Sequence, residues 1–228
     1  MKQDTNQQAI TEYLASFISD NKRNRIDEVL ALRTNHLTVV LEDIYKPHNA
    51  SAVLRTCECY GIQNIHVVEQ RNTYDVNRYV TRGSAKWVSL HKYDHPNHDN
   101  IDTCFRKLKK EGYKIYATSP IGSLKPSDIP VDDKVAVVFG TEETGITDYV
   151  KDNADGLVQI PMYGFTESFN ISVAAAIVLQ SVSENMRDNN THWQLTDTEK
   201  RDLKYEWYKA CVNHSEELIR DFEKKNEI

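Results

Sequence analysis

Six short runs of β-branched and apolar residues punctuate the middle of this chain, and longer stretches with apolar positions three and four apart lie between them. The runs predict strands at Leu37–Leu41, Ile65–Val68, Trp87–Leu90, Lys114–Thr118, Val135–Phe139 and Leu157–Ile160. The intervening periodicity predicts helices at Ala50–Tyr60 and Ile101–Glu111, a short one near Thr147–Asp152, and a long one at Ser168–Arg187. Alternation of this kind gives an α/β fold, a mostly parallel sheet with helices on both faces. Ligands bind such sheets at the carboxyl ends of the strands, which directs attention to the loops after Leu41, Thr118, Phe139 and Ile160. The stretch Ile171–Leu179 is apolar nearly all round, so its helix is expected to be buried.

Both ends carry a different pattern. Ile10, Tyr13, Leu14 and Phe17 recur at helical spacing; Ile26, Val29, Leu30 and Leu32 follow a polar run, Asn21 to Arg25. At the other end Thr196 and Glu199 form a capping-box pattern, followed by Leu203, Trp207 and Ala210, then Leu218, Ile219 and Phe222. All eight glycines fall between Gly61 and Gly164 and all six prolines between Pro47 and Pro161, so the turn-rich core lies between two helical extensions. The expected division is 1–35, 36–187 and 188–228.

The length, 228 residues, suits one α/β domain with appendages, and 27% charged residues is ordinary for a globular chain. No run reaches the ~20 apolar residues of a membrane span, and the N-terminus lacks the apolar core of a signal peptide. Four cysteines without C-x-x-C spacing read as reduced thiols, and a cytoplasmic location is expected. Eight scattered histidines show no paired ligand spacing, so no metal is expected. A net charge of −6 argues against nucleic acid for the chain as a whole. Locally the balance reverses: Arg71, Arg78, Arg82, Lys86 and Lys92 face the single acid Asp75, and Lys22, Arg23 and Arg25 form a second basic cluster, expected between the N-terminal helices.

Three loops could carry chemistry. After the first strand comes Lys46-Pro47-His48-Asn49-Ala50-Ser51, with Arg55 further along the helix; a lone arginine among Ala52, Val53 and Leu54 also reads as a snorkelling surface residue. After the fifth strand, Gly140-Thr141-Glu142-Glu143-Thr144-Gly145-Ile146-Thr147 has the glycine spacing of a phosphate loop. Ile146 stands in place of the lysine, and two glutamates would repel phosphate. A cationic or hydroxyl-rich ligand suits this turn better, though it would equally serve as a plain connection with solvated glutamates. After the sixth strand, Ile160-Pro161-Met162-Tyr163-Gly164 leads to Ser168-Phe169-Asn170, where Ser168 or Asn170 caps the following helix.

Taken together and in this order, the three segments closely resemble the TrmH branch of the SPOUT superfamily, ribose 2′-O-methyltransferases of RNA that use S-adenosylmethionine. The N-x-x-x-x-x-R motif is matched within Lys46–Thr56, the G-x-E-x-x-G-[IV]-[ST] motif by Gly140–Thr147, and the I-P-M…S-x-N-[IV]-S-V-A motif from Ile160 to Ala176. The match extends to Gly83–Val88 and Ile115–Thr118, and the length and helical ends are similar to the tRNA guanosine enzymes of the branch. The resemblance implies a deep trefoil knot at about 135–187, an exception to ordinary chain topology. It also implies a homodimer and tRNA as partner, with the ribose of the D-loop guanosine at position 18 as target. Ribosomal RNA, another tRNA position, or an RNA-binding member without catalysis are the alternatives. Carried over residue by residue, Thr118, Gly140, Ile160 and Phe169 would line the S-adenosylmethionine pocket. Arg55 would act at the ribose with Asn49, Glu142, Ser168 and Asn170, and the basic residues Lys22, Arg23, Arg25, Arg71, Arg78, Arg82 and Lys86 would hold RNA. Whether Arg55 serves as base or binds the adjacent phosphate stays open, and neither route calls for a metal. Tyr163 to Glu167 departs from the family pattern in being bulkier and more acidic.

Overall fold

The computed structural model describes residues 2–44, 46–70, 83–189 and 192–226. The chain divides into two compact units, one of residues 34–193 and one combining 1–33 with 194–228.

Among the described residues the larger unit is built on six strands: β1 (Leu37–Glu42), β2 (Asn64–Val68), β3 (Ser89–Tyr93), β4 (Tyr113–Thr118), β5 (Lys134–Phe139) and β6 (Gly156–Val158). They form one sheet in the order β3-β2-β1-β5-β4-β6, every pairing parallel. The period of two along each strand sorts its side chains between two cores. Leu37, Val39 and Leu41 with Val135, Val137 and Phe139 face one side, and Val40 with Ala136 and Val138 the other. Helices α3 (Pro47–Cys59) and α6 (Ile171–Asp188) cover the first side through Val53, Leu54, Ala175, Val178 and Leu179. On the second side lie α4 (Asn100–Lys110) and α5 (Asp148–Asn153), represented by Ile101, Phe105, Leu108 and Val150.

Two predicted strands have shifted ends. Gly83 adopts a left-handed φ of 83° and leads into a 3-10 turn at Ser84–Trp87, so the third strand starts only at Ser89. It runs on through His91, half-buried and stacked on His66, and Lys92, exposed on the opposite face as an edge strand tolerates. The sixth strand starts and ends earlier than Leu157–Ile160, because beyond Val158 the Gln159 amide pairs with the Leu124 carbonyl (2.8 Å) outside the sheet. The expectation that Ile171–Leu179 is buried all round also fails. Val173 on α6 is 44% exposed, and Phe169 just before it is 41% exposed.

The smaller unit contains α1 (Lys2–Ala15), α2 (Asp20–Leu30), α7 (Asp197–Cys211) and α8 (Ser215–Asn226). Tyr13 stacks on Phe222 at 4.5 Å, and the buried Arg33 guanidinium lies 5.2 Å from the Trp207 ring centre. The two ends of the chain thus share one core. Lys22, Arg23 and Arg25 stand within α2 rather than in a connection between helices. Lys and Arg are good helix formers, and with Ile26 and Leu30 buried four residues apart, the polar run forms the solvated first turns of the same helix. At Thr196 the capping box is complete: Thr196 Oγ1 accepts from the Glu199 amide (3.3 Å), and Glu199 Oε2 accepts from the Thr196 amide (2.7 Å). A left-handed His214 (φ 55°) separates α7 from α8.

Candidate functional site

The carboxyl ends of β4, β5 and β6 open into one cavity of about 300 Å³, a size that fits a small organic ligand. Its walls are apolar where the strands end and α6 begins (Phe139, Val158, Ile160, Ile171, Ala174). Its rim carries Glu142, Glu143 and Glu167. Thr118, Gly140, Ile160 and Phe169, the four residues expected at a cofactor, all line it, as do Glu142 and Ser168. Thr118 is fixed by donating its hydroxyl to the Val138 carbonyl (3.1 Å).

The turn after β5 is held closed by its own backbone. Thr141 and Gly145 exchange both amide–carbonyl hydrogen bonds (3.0 and 3.1 Å), and the Thr144 amide donates to Thr141 Oγ1 (3.0 Å). A Cβ on Gly140 would lie 2.3 Å from the carbonyl carbon of Gly145, so only glycine permits this closure. Gly145 itself has φ 70°.

Three loops are linked through Glu142 and Asn49. Lys46 pairs with Glu142 Oε2 (2.9 Å), and the Asn49 amide donates to Glu142 Oε1. Asn170 Nδ2 donates in turn to Asn49 Oδ1 (3.4 Å). Asn170 is the N-cap of α6, its side-chain oxygen accepting from the Ser172 amide (2.9 Å) and hydroxyl (2.6 Å). Residues 49, 142 and 170, remote in the chain, are therefore neighbours in a polar relay beside the cavity. Arg55 is exposed on α3, is not part of the cavity wall, and forms no ion pair among the described residues.

The basic residues are less gathered. Arg23 is paired with Asp20 and Arg25 with Glu28 (2.9 Å), Lys22 is exposed, and Lys86 Nζ sits 4.5 Å from the Trp87 ring centre. Arg71, Arg78 and Arg82 lie outside the described residues. Among the described residues no group of three or more His, Cys, Asp or Glu is arranged to hold a metal ion, and no helix is long and apolar enough to cross a membrane.

Sequence reading passed over Glu42, the last residue of β1. It is 1% exposed, and both its carboxylate oxygens accept from Thr147, one from the hydroxyl (2.6 Å) and one from the amide (3.1 Å). Burial pushes its pKa above the usual carboxylate range, opposed by the two Thr147 hydrogen bonds; Asp43 adds to the rise and Lys151 counters it. Its neighbour Asp43 is also buried, has φ 54°, and accepts from the Gln70 amide (3.0 Å). A charged residue closing a strand apolar but for Thr38 was the available signal.

Comparisons with known proteins agree with this geometry. The model of the SpoU rRNA Methylase family matches residues 36–180. A tRNA (guanosine(18)-2′-O)-methyltransferase of Borreliella burgdorferi is 43% identical over 202 residues, covering 88% of this chain and 90% of that protein. Its namesake from Thermus thermophilus is 38% identical over 162 residues, 71% of this chain and 81% of that one. Among solved structures, the A. aeolicus TrmH/SpoU tRNA modifying enzyme superposes with a TM-score of 0.75 at 28% identity, covering 85% of this chain and 98% of that one. A parallel sheet with its cavity at the carboxyl ends, and motif residues from three loops joined through Glu142 and Asn49, are thus explained together: this chain belongs to the SpoU rRNA methylase family.

Proposed function

We propose that this protein transfers a methyl group from S-adenosylmethionine to the ribose 2′-oxygen of the D-loop guanosine at position 18 of tRNA. The observation that carries the proposal is the relay Lys46–Glu142–Asn49–Asn170, which joins residues of all three motifs beside one cavity. Its support on the substrate side is the name carried by relatives 43% and 38% identical.

The cavity fits the cofactor's chemistry. Apolar walls suit a nucleoside ring and a methylene chain, and the glutamate rim suits a sulfonium and an ammonium rather than phosphates. Thr118, Gly140, Ile160 and Phe169 would hold it. Bound there, S-adenosylmethionine supplies an electrophilic methyl group and a neutral leaving group. What remains for the protein is to present a weakly nucleophilic alcohol in line. Glu142, oriented by Asn49 and Lys46, and Ser168 at the rim are placed to hydrogen-bond a ribose. Arg55 has no ion-pair partner among the described residues, which suits a group reserved for the substrate. Guanidinium does not release its proton in proteins, so Arg55 is assigned to the phosphate beside the target and to polarising the hydroxyl, with the phosphate taking the proton.

The reading includes the knot, a homodimer and a cytoplasmic location. The knot is supported by the close pass of the loop after β4 along β6 and the residue that follows it. Ser119 and Ser123 amides donate to Val158 and Leu157 carbonyls (2.9 and 3.1 Å), and a Cβ on Gly122 would come within 2.6 Å of the Gln159 nitrogen. The dimer is supported by the exposed apolar residues Phe169 and Val173 at the start of α6, which a second copy would cover. The test is methyl transfer to unmodified tRNA transcript, with the product nucleotide mapped by mass spectrometry and the same assay run on ribosomal RNA. Methylation at guanosine 18 is expected; transfer to ribosomal RNA alone, or to another tRNA position, overturns the substrate assignment. Light scattering at micromolar concentration should give a dimer.

A further inference from the structure

We infer that Glu42 is a positioning residue for the cofactor cavity, acting through Thr147 to hold the far end of the Gly140–Thr147 turn. The inference rests on the proposed cofactor site and adds a residue to it. Glu42 does not line the cavity. It reaches the cavity only through the turn, whose residues 140–145 make up one wall.

The turn is gripped at two places by one short segment of chain. At its near end Lys46 and Asn49 hold Glu142; at its far end Glu42 holds Thr147 by hydroxyl and amide together. All of these grips come from the end of β1 and the start of α3, that is, from residues 42–49. The turn's internal bonds close it on itself but do not fix its angle to the sheet. Glu42 supplies that fixed point, because its strand is paired on both sides, with β2 and with β5. Both oxygens are used on a single residue, and the side chain is 1% exposed, so the carboxylate has no room to exchange partners. The Thr147 hydroxyl also accepts from the Val150 amide (3.4 Å), so the group that Glu42 holds is the one that caps α5. Replacing the carboxylate by an amide puts its N–H₂ either against the Thr147 amide, where two donors face each other, or against the Thr147 hydroxyl, which must then turn to accept; in both cases the charge-assisted O–H···O⁻ geometry is lost.

The experiment compares Glu42→Gln, Thr147→Val, Thr147→Ser and the Glu42→Gln/Thr147→Val double variant. Thermal unfolding and tRNA affinity without cofactor serve as controls for the fold. Calorimetric titration with S-adenosylmethionine should show Kd raised about tenfold or more by Glu42→Gln and by Thr147→Val, as for a lost hydrogen bond to a buried charged group. Thr147→Ser, which keeps the hydroxyl, should bind like wild type. The double variant should be little worse than either single one, since both cut the same link. Hydrogen exchange without cofactor gives a second reading: the Gly145 and Thr147 amides should exchange faster in Glu42→Gln while β5 amides do not. Unchanged affinity in both single variants, or additive losses in the double one, overturns the inference. Should Glu42→Gln fail to fold, Thr147→Val against Thr147→Ser decides it. Should the wild type not bind S-adenosylmethionine at all, the proposed function fails instead, and the exchange rates alone judge the clamp.

Discussion

A single side chain changes meaning with its surroundings, and Arg55 and Glu142 illustrate both directions. By sequence Arg55 is an arginine on an apolar helix and Glu142 one of two glutamates in a turn; in the fold Glu142 acquires partners from Lys46 and Asn49, while Arg55 stays on the surface of α3. Replacing Arg55 by alanine should therefore leave S-adenosylmethionine affinity unchanged while lowering kcat by about 100-fold or more, the usual size for a lost charge-stabilising donor; a variant that keeps a tenth of wild-type turnover removes Arg55 from the reaction. The motif residues were legible because their order and spacing recur. Glu42 showed only as a charge closing a mostly apolar run, and nothing in the lone His66 announces its burial. His66 is 2% exposed, bonded through Nδ1 to the Tyr93 hydroxyl (2.9 Å) and stacked on His91 (4.8 Å). Burial chiefly, with His91 and Lys107 adding, pushes its pKa down to about 3 from an ordinary 6.5. The unfolded chain takes up this proton near pH 6.5 and the folded chain only near 3, so its contribution to stability is complete above 6.5 and shrinks as the pH falls toward 3. Urea unfolding at pH 7 and pH 5 should show a smaller acid loss for His66→Gln than for wild type; equal losses would clear His66 of the effect.

At the scale of elements, the strands were easy and their ends were not. A short apolar run betrays a buried strand, but where it stops depends on neighbours the run does not contain. For β6 the decisive neighbour is the Leu124 carbonyl, and for β3 it is the left-handed Gly83. Basic residues misled in a different way: in α2 they are the wet side of a helix, which a periodicity count reads as a gap. The turn after β5 is the element on which the cavity most depends. Alanine at Gly140 would press its Cβ into the Gly145 backbone, a clash that no side-chain rotation relieves. We expect Gly140→Ala to lose about 1–3 kcal/mol of stability, as forced overpacking does, together with measurable S-adenosylmethionine binding. Wild-type titration curves and melting for this variant would show that the turn opens without cost.

For the whole molecule, the layered α/β core followed from alternation alone. The pairing of the two chain ends into one helical unit did not, because helical periodicity says which face is buried and not against what. Tyr13 stacked on Phe222 joins the first and last helices, a pairing that only the folded chain displays. The proposed action of an acidic protein on tRNA needs local cations, and Lys22, Arg23 and Arg25 lie together on α2, two of them held by the acids Asp20 and Glu28. If they grip phosphates, replacing all three with alanine should raise the tRNA KM and flatten the dependence of affinity on salt. The slope should fall by about 0.7–0.9 log units, per tenfold change in salt, for each phosphate no longer neutralised. Cofactor affinity should not move. A triple variant with the wild-type salt slope would make this face merely solvated.

The strand order has one more effect, which concerns synthesis rather than catalysis. In the middle of the sheet Leu37 pairs with Val135, and β4, made earlier than β5, stands outside it. A chain emerging from the ribosome thus carries β1 with one bare edge until β5, more than ninety residues further on, has been made. Pairings so far apart in sequence slow folding, and an unpaired apolar strand invites association with other chains. Growing chains arrested between β4 and β5 should therefore be the most dependent on chaperones, and release of that demand should coincide with the appearance of Lys134–Phe139.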